Sequence, residues 1–512
     1  MPDAFFQQHE VKDAVYRLAD ADDLLLFAGA GSSAEAGLPT WPRLLETMLV
    51  AVAREILERS GEETDAEYRS RCTGLAQILL MEHSLPAVGA VAQSVFRTRL
   101  REKIKRHLYP SDFDLQPGPL AHALARLAMT LDGPAEILTT NYDELLEAAL
   151  RSQDCGDVVT LVGAELKPVD RPSVRHLHGL IPATGRSRGD VVLSEGDYYL
   201  MQDPRNSGEQ LVAALLADRP CLFVGTSLDD PNLLRNLYRC SKNRERHVVL
   251  YTRQGDAVAC DPEIPAPIRR AREEASRRRF ASVNVEPLYA DFFEQVVQFV
   301  NEVALRRELG DEYEYYGERL EAWRAEVVET LLPASPAAFR RCQEEIHGRL
   351  AALRDEVLDI LDRAGLRRDG QDTLAVQVWT RARHGRELIL IGYSDRVWSD
   401  AGTLARAVLD RPTPHFAVEV FCYGSPLYQR ALPERPGTRW RSALGVPLIL
   451  TSDPGHRLPV GAITLLSTEK FAGGLLEKLS EAPEEEAEVR TKLIDVGLGL
   501  LGSAYGSTTG AR

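Results

Sequence analysis

A chain of 512 residues has room for two to four domains, and 44% hydrophobic with 27% charged residues is the make-up of a water-soluble globular protein. A formal net charge of −15 excludes a global basic field of the kind that recruits nucleic acid, and no apolar run reaches the roughly 18 residues of a membrane helix. The opening MPDAFFQQHEVKD lacks the regions of a signal peptide, and seven cysteines standing singly suit a reducing compartment, so a cytoplasmic protein is expected.

From about residue 20 to 305, short apolar runs alternate with helical patterns. The runs are Leu24 to Phe27, Ile137-Leu138, Val158 to Val162, Val174 to Leu177, Cys221 to Val224 and Val248 to Tyr251. Amphipathic stretches such as Trp41 to Leu57 and Tyr142 to Leu150 lie between them. That alternation predicts an α/β fold, a Rossmann-like parallel sheet with helices on both faces. Two basic runs, Arg97 to Arg106 and Arg269 to Arg279, are interleaved with acidic neighbours and read as solvated helix faces.

From about 306 to 366 the pattern is helical and highly charged. Ser335-Pro336 offers an N-cap with proline at the next position, and Leu350, Leu353, Val357, Leu358 and Leu361 form a stripe at helical spacing. A connecting element is expected, with a short dimerising coiled coil as the alternative. From about 367 to 505 strands return: Leu374 to Trp379, Glu387 to Ile391 and Ala417 to Phe421. Arg441 to Leu450 and Val460 to Leu466 read as a hairpin joined by a polar loop, Thr451 to Pro459, and a terminal helix follows. This predicts a smaller α+β domain with an antiparallel sheet. The expected domains are thus 1–305, 306–366 and 367–512.

The first strand runs into Gly29-Ala30-Gly31-Ser32-Ser33-Ala34. A strand, glycine turn and helix let backbone N–H groups approach a pyrophosphate, with Gly31 clearing space and the two serines adding hydroxyls. The loop alone is a weak signal, and no GKS or GKT marks a Walker-type site. Its context is more informative. Thr139-Thr140-Asn141-Tyr142-Asp143, Arg175-His176-Leu177-His178-Gly179 and Gly225-Thr226-Ser227-Leu228-Asp229-Asp230-Pro231-Asn232 each follow a predicted strand. Polar clusters at the carboxyl ends of parallel strands are where ligands bind in open α/β sheets.

The ordered set GAGSS, GLPTW, TTNYD, HLHG and GTSLDDPN resembles the sirtuin superfamily across residues 20 to 305, and is closer to the sirtuin-like effector domains of bacterial antiphage systems than to deacylating sirtuins. The resemblance implies that Gly29, Ala30, Gly31, Ser32 and Ser33 cradle NAD phosphates. It implies that Asn141 and Asp143, with Thr140 beside them, line the nicotinamide-ribose pocket, and that Gly225, Thr226 and Ser227 contact the adenosine ribose. His178 takes the place of the catalytic base. Cleavage of the nicotinamide–ribose bond passes through an oxocarbenium-like state, and a neutral imidazole can take a proton from the nucleophile.

Other readings of the same residues stay open. Asn141 also suits an N-cap for a helix beginning near Tyr142. His178 also suits a core histidine satisfied by its neighbours. His176 reads as structural, Asp229 and Asp230 as turn formers, and Trp41 as a packing residue.

Departures from the deacylase pattern direct the chemistry. No CxxC pair exists, so no structural zinc module and no metal are expected. The segment after GLP reads TWPRL, and Thr140 stands where many sirtuins have glutamine. Water then becomes the favoured acceptor, and NAD is a substrate hydrolysed to nicotinamide and ADP-ribose. A protein deacylase and a non-catalytic NAD or ADP-ribose sensor are the alternatives.

In the carboxyl-terminal segment, Trp440 to Leu448 and Pro459 to Thr468 resemble GAF domains, which are sensor or dimerisation modules. Trp379, His384, Tyr393, Trp398, Phe416, Phe421, Tyr423 and Tyr428 are candidates for lining a ligand cavity, or simply for core packing. The resemblances together imply a regulated enzyme: a homo-oligomer with a small-molecule ligand at the GAF-like domain and a phage-sensing partner protein. No membrane or direct nucleic-acid contact is expected.

Overall fold

The computed structural model describes residues 4–501 apart from 60–62, 110–115, 154–155, 164, 166–169, 202–206, 241–245, 254–263, 292, 319–324, 326–329, 367–372, 382–386, 409–414, 424–425, 433–438 and 453–455. Seven strands form one wholly parallel sheet: β1 (Leu25–Ala28), β2 (Glu136–Thr139), β3 (Val159–Val162), β4 (Ser173–His176), β5 (Cys221–Val224), β6 (His247–Thr252) and β7 (Val285–Ala290). Their order is β3-β4-β2-β1-β5-β6-β7. Strands of this kind are covered on both faces, which is why Leu25 to Ala28 and Cys221 to Val224 are apolar throughout and fully buried.

The chain leaves β1 to one side, through β2, β3 and β4, and then returns to the other side for β5. The order therefore reverses between β1 and β5, and the carboxyl ends there open a crevice. A helical layer stands over this end. Helices Trp41–Ile56, Asp65–Glu82, Leu85–Phe96 and Leu100–Leu108, inserted between β1 and β2, share a core with Leu38, Tyr142, Leu145, Ile181 and Leu193. Local signals start these helices. Thr64 and Glu67 form a reciprocal capping box, and Ser84 caps Leu85–Phe96 by accepting from the Ala87 amide. Of the basic residues in this layer, Arg99 and Lys103 both pair with Glu55.

The second sheet is antiparallel, with the order β10-β9-β8-β13-β12-β11. Its strands are β8 (Leu374–Arg381), β9 (Glu387–Tyr393), β10 (Arg406–Val408), β11 (Leu427–Gln429), β12 (Ser442–Ser452) and β13 (His456–Ser467). Two sequence expectations are corrected here. Ala417 to Phe421, expected as a strand, lies in helix Phe416–Tyr423. Most of the expected loop Thr451 to Pro459 is strand, because β12 and β13 continue pairing out to Ser452 and His456. A β-bulge between Leu448 and Ile449 absorbs the slip in register.

Helix Pro336–Arg363 buries Phe339, Ile346, Leu350, Leu353 and Val357 against β8, β9 and helix Pro483–Leu501. The apolar stripe read in 306–366 therefore faces the second sheet. A Cβ on Gly445 would strike Val420, whereas one on Gly497 would strike Leu448. Alternation along β12 thus puts helices Phe416–Tyr423 and Pro483–Leu501 on opposite faces. Trp379, Trp398, Phe416 and Phe421 are buried, and Tyr393 and Tyr428 are half-buried. His384 and the Tyr423 side chain lie outside the described residues. Helix Phe293–Leu309 runs through position 305 and packs on β13, so one apolar core passes through both sheets.

His247, at the start of β6, accepts a hydrogen bond at Nδ1 from the Cys221 amide, 3.1 Å away. Burial pushes its pKa down from 6.5 to about 4. The neutral ring is the folded form, so its contribution is complete above 6.5 and is lost as pH falls toward 4. A loss of about 3 kcal/mol is expected across that window. Urea midpoints of wild type and His247→Gln between pH 7 and 4 test this, since the variant should lack that part of the acid loss.

Candidate active site

Thr139 closes β2 and ties two strand ends together. Its hydroxyl donates to the Ala28 carbonyl at 2.8 Å and accepts from the Asn141 amide at 3.0 Å. This turns the Asn141 side chain onto the glycine loop. Asn141 Nδ2 lies 3.1 Å from the Gly29 carbonyl oxygen, 3.2 Å from Ser32 Oγ and 3.0 Å from Ser33 Oγ. Asn141 Oδ1 is buried with no hydrogen-bond partner in the protein. Asn141 does not cap a helix: the next one, Leu145–Arg151, begins later than expected, and Asp143 supplies the bond to its Leu145 amide.

The glycine loop is folded against the loop after β5. The Gly29 and Gly31 amides donate to the Val224 and Gly225 carbonyls at 2.9 and 2.8 Å, and the Ser32 and Ser33 amides close the turn onto Gly29 and Ala30. Ala30 opens this turn. The serine hydroxyls also point inward, Ser32 to the Gly29 carbonyl and Ser33 to Asp143. The glycines are needed for close packing. A Cβ on Gly31 would sit 2.7 Å from the Gly225 Cα, and Gly225 itself has φ of 63°. Gly31→Ala is expected to cost about 1–3 kcal/mol, read as a lower denaturation midpoint; an unchanged midpoint would mean the loops separate freely.

Asp143 is wholly buried. Burial raises its pKa, against the bonds from the Leu145 amide and the Ser33 hydroxyl. It thus stands behind the glycine loop and holds Ser33. Thr140 is half-buried between Thr139 and Asn141. Thr226 Oγ1 accepts from the Leu228 amide, Ser227 is exposed, and its carbonyl accepts from the Tyr251 hydroxyl. Leu228 is fully buried at φ 54°, a left-handed conformation that a leucine adopts only under local strain.

His176 and His178 follow different paths. His176 is fully buried, with Nδ1 2.8 Å from the Asn141 carbonyl oxygen and Nε2 2.9 Å from Glu147 Oε1. Both partners accept, so both ring nitrogens carry protons. Burial pushes the ring's pKa down, but Glu147 and the Asn141 carbonyl more than reverse it, and the net shift is upward. Glu147 moves the other way: burial raises it, and His176 brings it below its ordinary value. His178 lies beyond β4, with its side chain 8% exposed and Nε2 3.1 Å from Asp230 Oδ2. Its ring meets Tyr198 edge to face, with centroids 5.6 Å apart, and Tyr198 in turn meets Trp41.

Two participants went unread in the sequence. In the sequence Asp230 reads only as a turn former. It does cap helix Pro231–Cys240 through the Asn232 and Leu233 amides, but it also meets His178. Tyr198, in GDYYL, belongs to no motif.

Four of the expected clusters, those around Gly29, Asn141, His178 and Gly225, thus gather at the reversal in strand order. Residues 135–288 match the family model described as a SIR2-like domain. The chain carries a SIR2-like domain. It is 26% identical over 258 residues to the curated NAD(+) hydrolase ThsA of Acinetobacter baumannii, a match covering 48% of this chain and 46% of that protein. The matched part thus spans about half the length of that relative. Among solved structures, a Sir2 enzyme aligns at a TM-score of 0.31 and 14% identity, covering 59% of this chain and 98% of that one. The GAF domain of an Acinetobacter phosphoenolpyruvate-protein phosphotransferase aligns at 0.20 and 12% identity, covering 38% and 98%. Among the described residues no helix is long and apolar enough to cross a membrane.

Proposed function

We propose that the SIR2-like domain hydrolyses NAD at the nicotinamide–ribose bond, giving nicotinamide, ADP-ribose and a proton. The observation that carries this reading is the buried, unpartnered Oδ1 of Asn141, held against the glycine loop by its own amide nitrogen. An acceptor left unsatisfied inside a protein is costly, and a ribose hydroxyl or a water satisfies it. Similarity to a curated NAD(+) hydrolase points to the same substrate.

In the reaction, the nicotinamide–ribose bond breaks with its electron pair leaving on nicotinamide. Positive charge grows on the ribose, water adds to that carbon, and His178 takes the proton that water loses. Asn141 orients the ribose or the water, while Asp143 holds Ser33 and the glycine loop in place. The Ala30 amide serves the pyrophosphate, and Thr226 and Ser227 serve the adenosine ribose. Tyr198 and Asp230 cover the His178 ring, which favours water over a bulky acyl-lysine as acceptor.

An unregulated enzyme of this kind would exhaust the NAD of its own cell. The second domain, docked through helix Phe293–Leu309 on β13, is the proposed regulatory part, and homo-oligomerisation and a phage-sensing partner belong to the same proposal. The motif resemblance to effector domains of bacterial antiphage systems supports a role in antiphage defence as part of this proposal. Purified protein incubated with NAD should release nicotinamide and ADP-ribose in equal amounts. Acyl-lysine turnover with O-acyl-ADP-ribose formation would replace this reading with deacylation, and tight NAD binding without turnover would replace it with a sensor.

A further inference from the structure

We propose that Asp230, steadied by Tyr198, is the positioning group that fixes His178 as the Nε2–H tautomer and so leaves Nδ1 as the atom that accepts the proton. This inference rests on the hydrolase reading for its kinetic arm alone. Its structural arm stands independently.

Asp230 is half-buried in the loop after β5, where two backbone amides donate to it. Its Oδ1 accepts from the Asn232 amide at 2.9 Å and the Leu233 amide at 2.8 Å. Its Oδ2 faces His178 Nε2 as an ion-pair contact at 3.1 Å. Burial pushes the Asp230 pKa up, but the facing His178 ring and the Leu233 amide more than reverse it. The group is therefore a carboxylate and can only accept. Its partner nitrogen on His178 must then carry the hydrogen, and in a neutral ring the lone pair falls to Nδ1. As the ring takes up a proton during the reaction, the adjacent carboxylate stabilises the imidazolium.

The surroundings keep this arrangement rigid. Asp230 sits at a helix start and cannot swing without losing two backbone bonds. Tyr198 packs edge-on to the ring at 89°, and burial raises its hydroxyl pKa well above the ordinary value, so it stays a donor. The Asn232 side chain donates to the Tyr198 carbonyl at 3.4 Å, linking helix Glu195–Met201 to the Asp230 loop. The titratable groups around the pair are Asp230 and Tyr198 themselves, with Tyr142 and Asp197 acting on Tyr198 from farther away.

Asp230→Asn tests this. Asparagine keeps the volume and the cap, but turning its amide toward His178 favours the Nδ1–H tautomer. The expected result is a fall in kcat of about a hundred- to ten-thousandfold with KM little changed. Tyr198→Phe keeps the ring edge-on to His178 and should lower kcat by less than about tenfold. Nitrogen-15 NMR of His178 in the wild-type protein should show hydrogen on Nε2. Hydrogen on Nδ1 in wild type, or an Asp230→Asn enzyme with unchanged kcat, overturns the proposal. If Asp230→Asn does not fold, the NMR tautomer decides. If NAD is not hydrolysed, the NMR result still tests the positioning claim by itself, so the two failures are distinguishable.

Discussion

Alanine in place of Asn141 is expected to lower the rate of nicotinamide release at saturating NAD by about a hundred- to a thousandfold. Two losses combine. The variant removes Oδ1, the acceptor assigned to the ribose or the attacking water. It also removes the Nδ2 donor that reaches the Gly29 carbonyl and the Ser32 and Ser33 hydroxyls. The second loss has its own signature in stability. Buried acceptors deprived of a donor cost about 1–3 kcal/mol, which a lower melting temperature reports. Asn141→Asp separates the two effects. It keeps an oxygen acceptor but loses the donor and sets a second carboxylate near Asp143. A comparable fall in rate would mean that ordering of the glycine loop matters as much as Oδ1. His178→Ala should fall by about a hundred- to ten-thousandfold with little change in melting. If either alanine variant keeps more than a tenth of the rate, that residue is not part of the reacting centre.

The strands that carry this site were legible because their environment demands a simple pattern. β1, β2, β4 and β5 are central in a parallel sheet, so buried apolar runs mark them, and the polar clusters that follow mark their carboxyl ends. β7 lies at the sheet edge and reads VEPLYA. Pro287 is tolerated in an edge strand, and Glu286 meets Arg17 and Arg246, so neither the proline nor the charge looks like a strand from sequence alone. Ala417 to Phe421 failed for the opposite reason. A short apolar run with alternating valines satisfies a strand template, and only packing on β12 and β13 settles it as helix.

The same distinction governs the site. Asn141 and His178 stand in ordered motifs after strands, so their places could be read. Asp230 could not be read as a partner of His178, because a cap in a DDPN turn already accounts for an aspartate there. Its second role depends on how the loops after β4 and β5 are brought together by the sheet order. The inward turn of Ser32 and Ser33 is likewise a product of the Asn141 contact, which no local pattern encodes.

The Glu147–His176 pair should dominate the pH dependence of folding near the site. Glu147→Ala leaves the His176 ring without its carboxylate and the Thr160 hydroxyl without its acceptor, and is expected to cost about 3–5 kcal/mol. Glu147→Gln is expected to cost less, about 1–2 kcal/mol, because a neutral His176 can still donate from Nδ1 to the Asn141 carbonyl. The sign of the pH effect follows from the two shifts. His176 is raised above 6.5 in the fold, so its contribution is complete below 6.5 and is lost as pH rises through the raised value. Glu147 is lowered below 4.5, so its contribution is complete above 4.5 and is lost as pH falls through the lowered value. The pair therefore contributes in full between 4.5 and 6.5 and weakens on the alkaline side. Urea midpoints measured from pH 6 to 9 should decline in wild type and decline less in Glu147→Gln. Because His176 holds the carbonyl of Asn141, NAD turnover should fall along with stability in Glu147→Ala. An alanine variant with wild-type stability but reduced turnover would instead place Glu147 in the reacting centre.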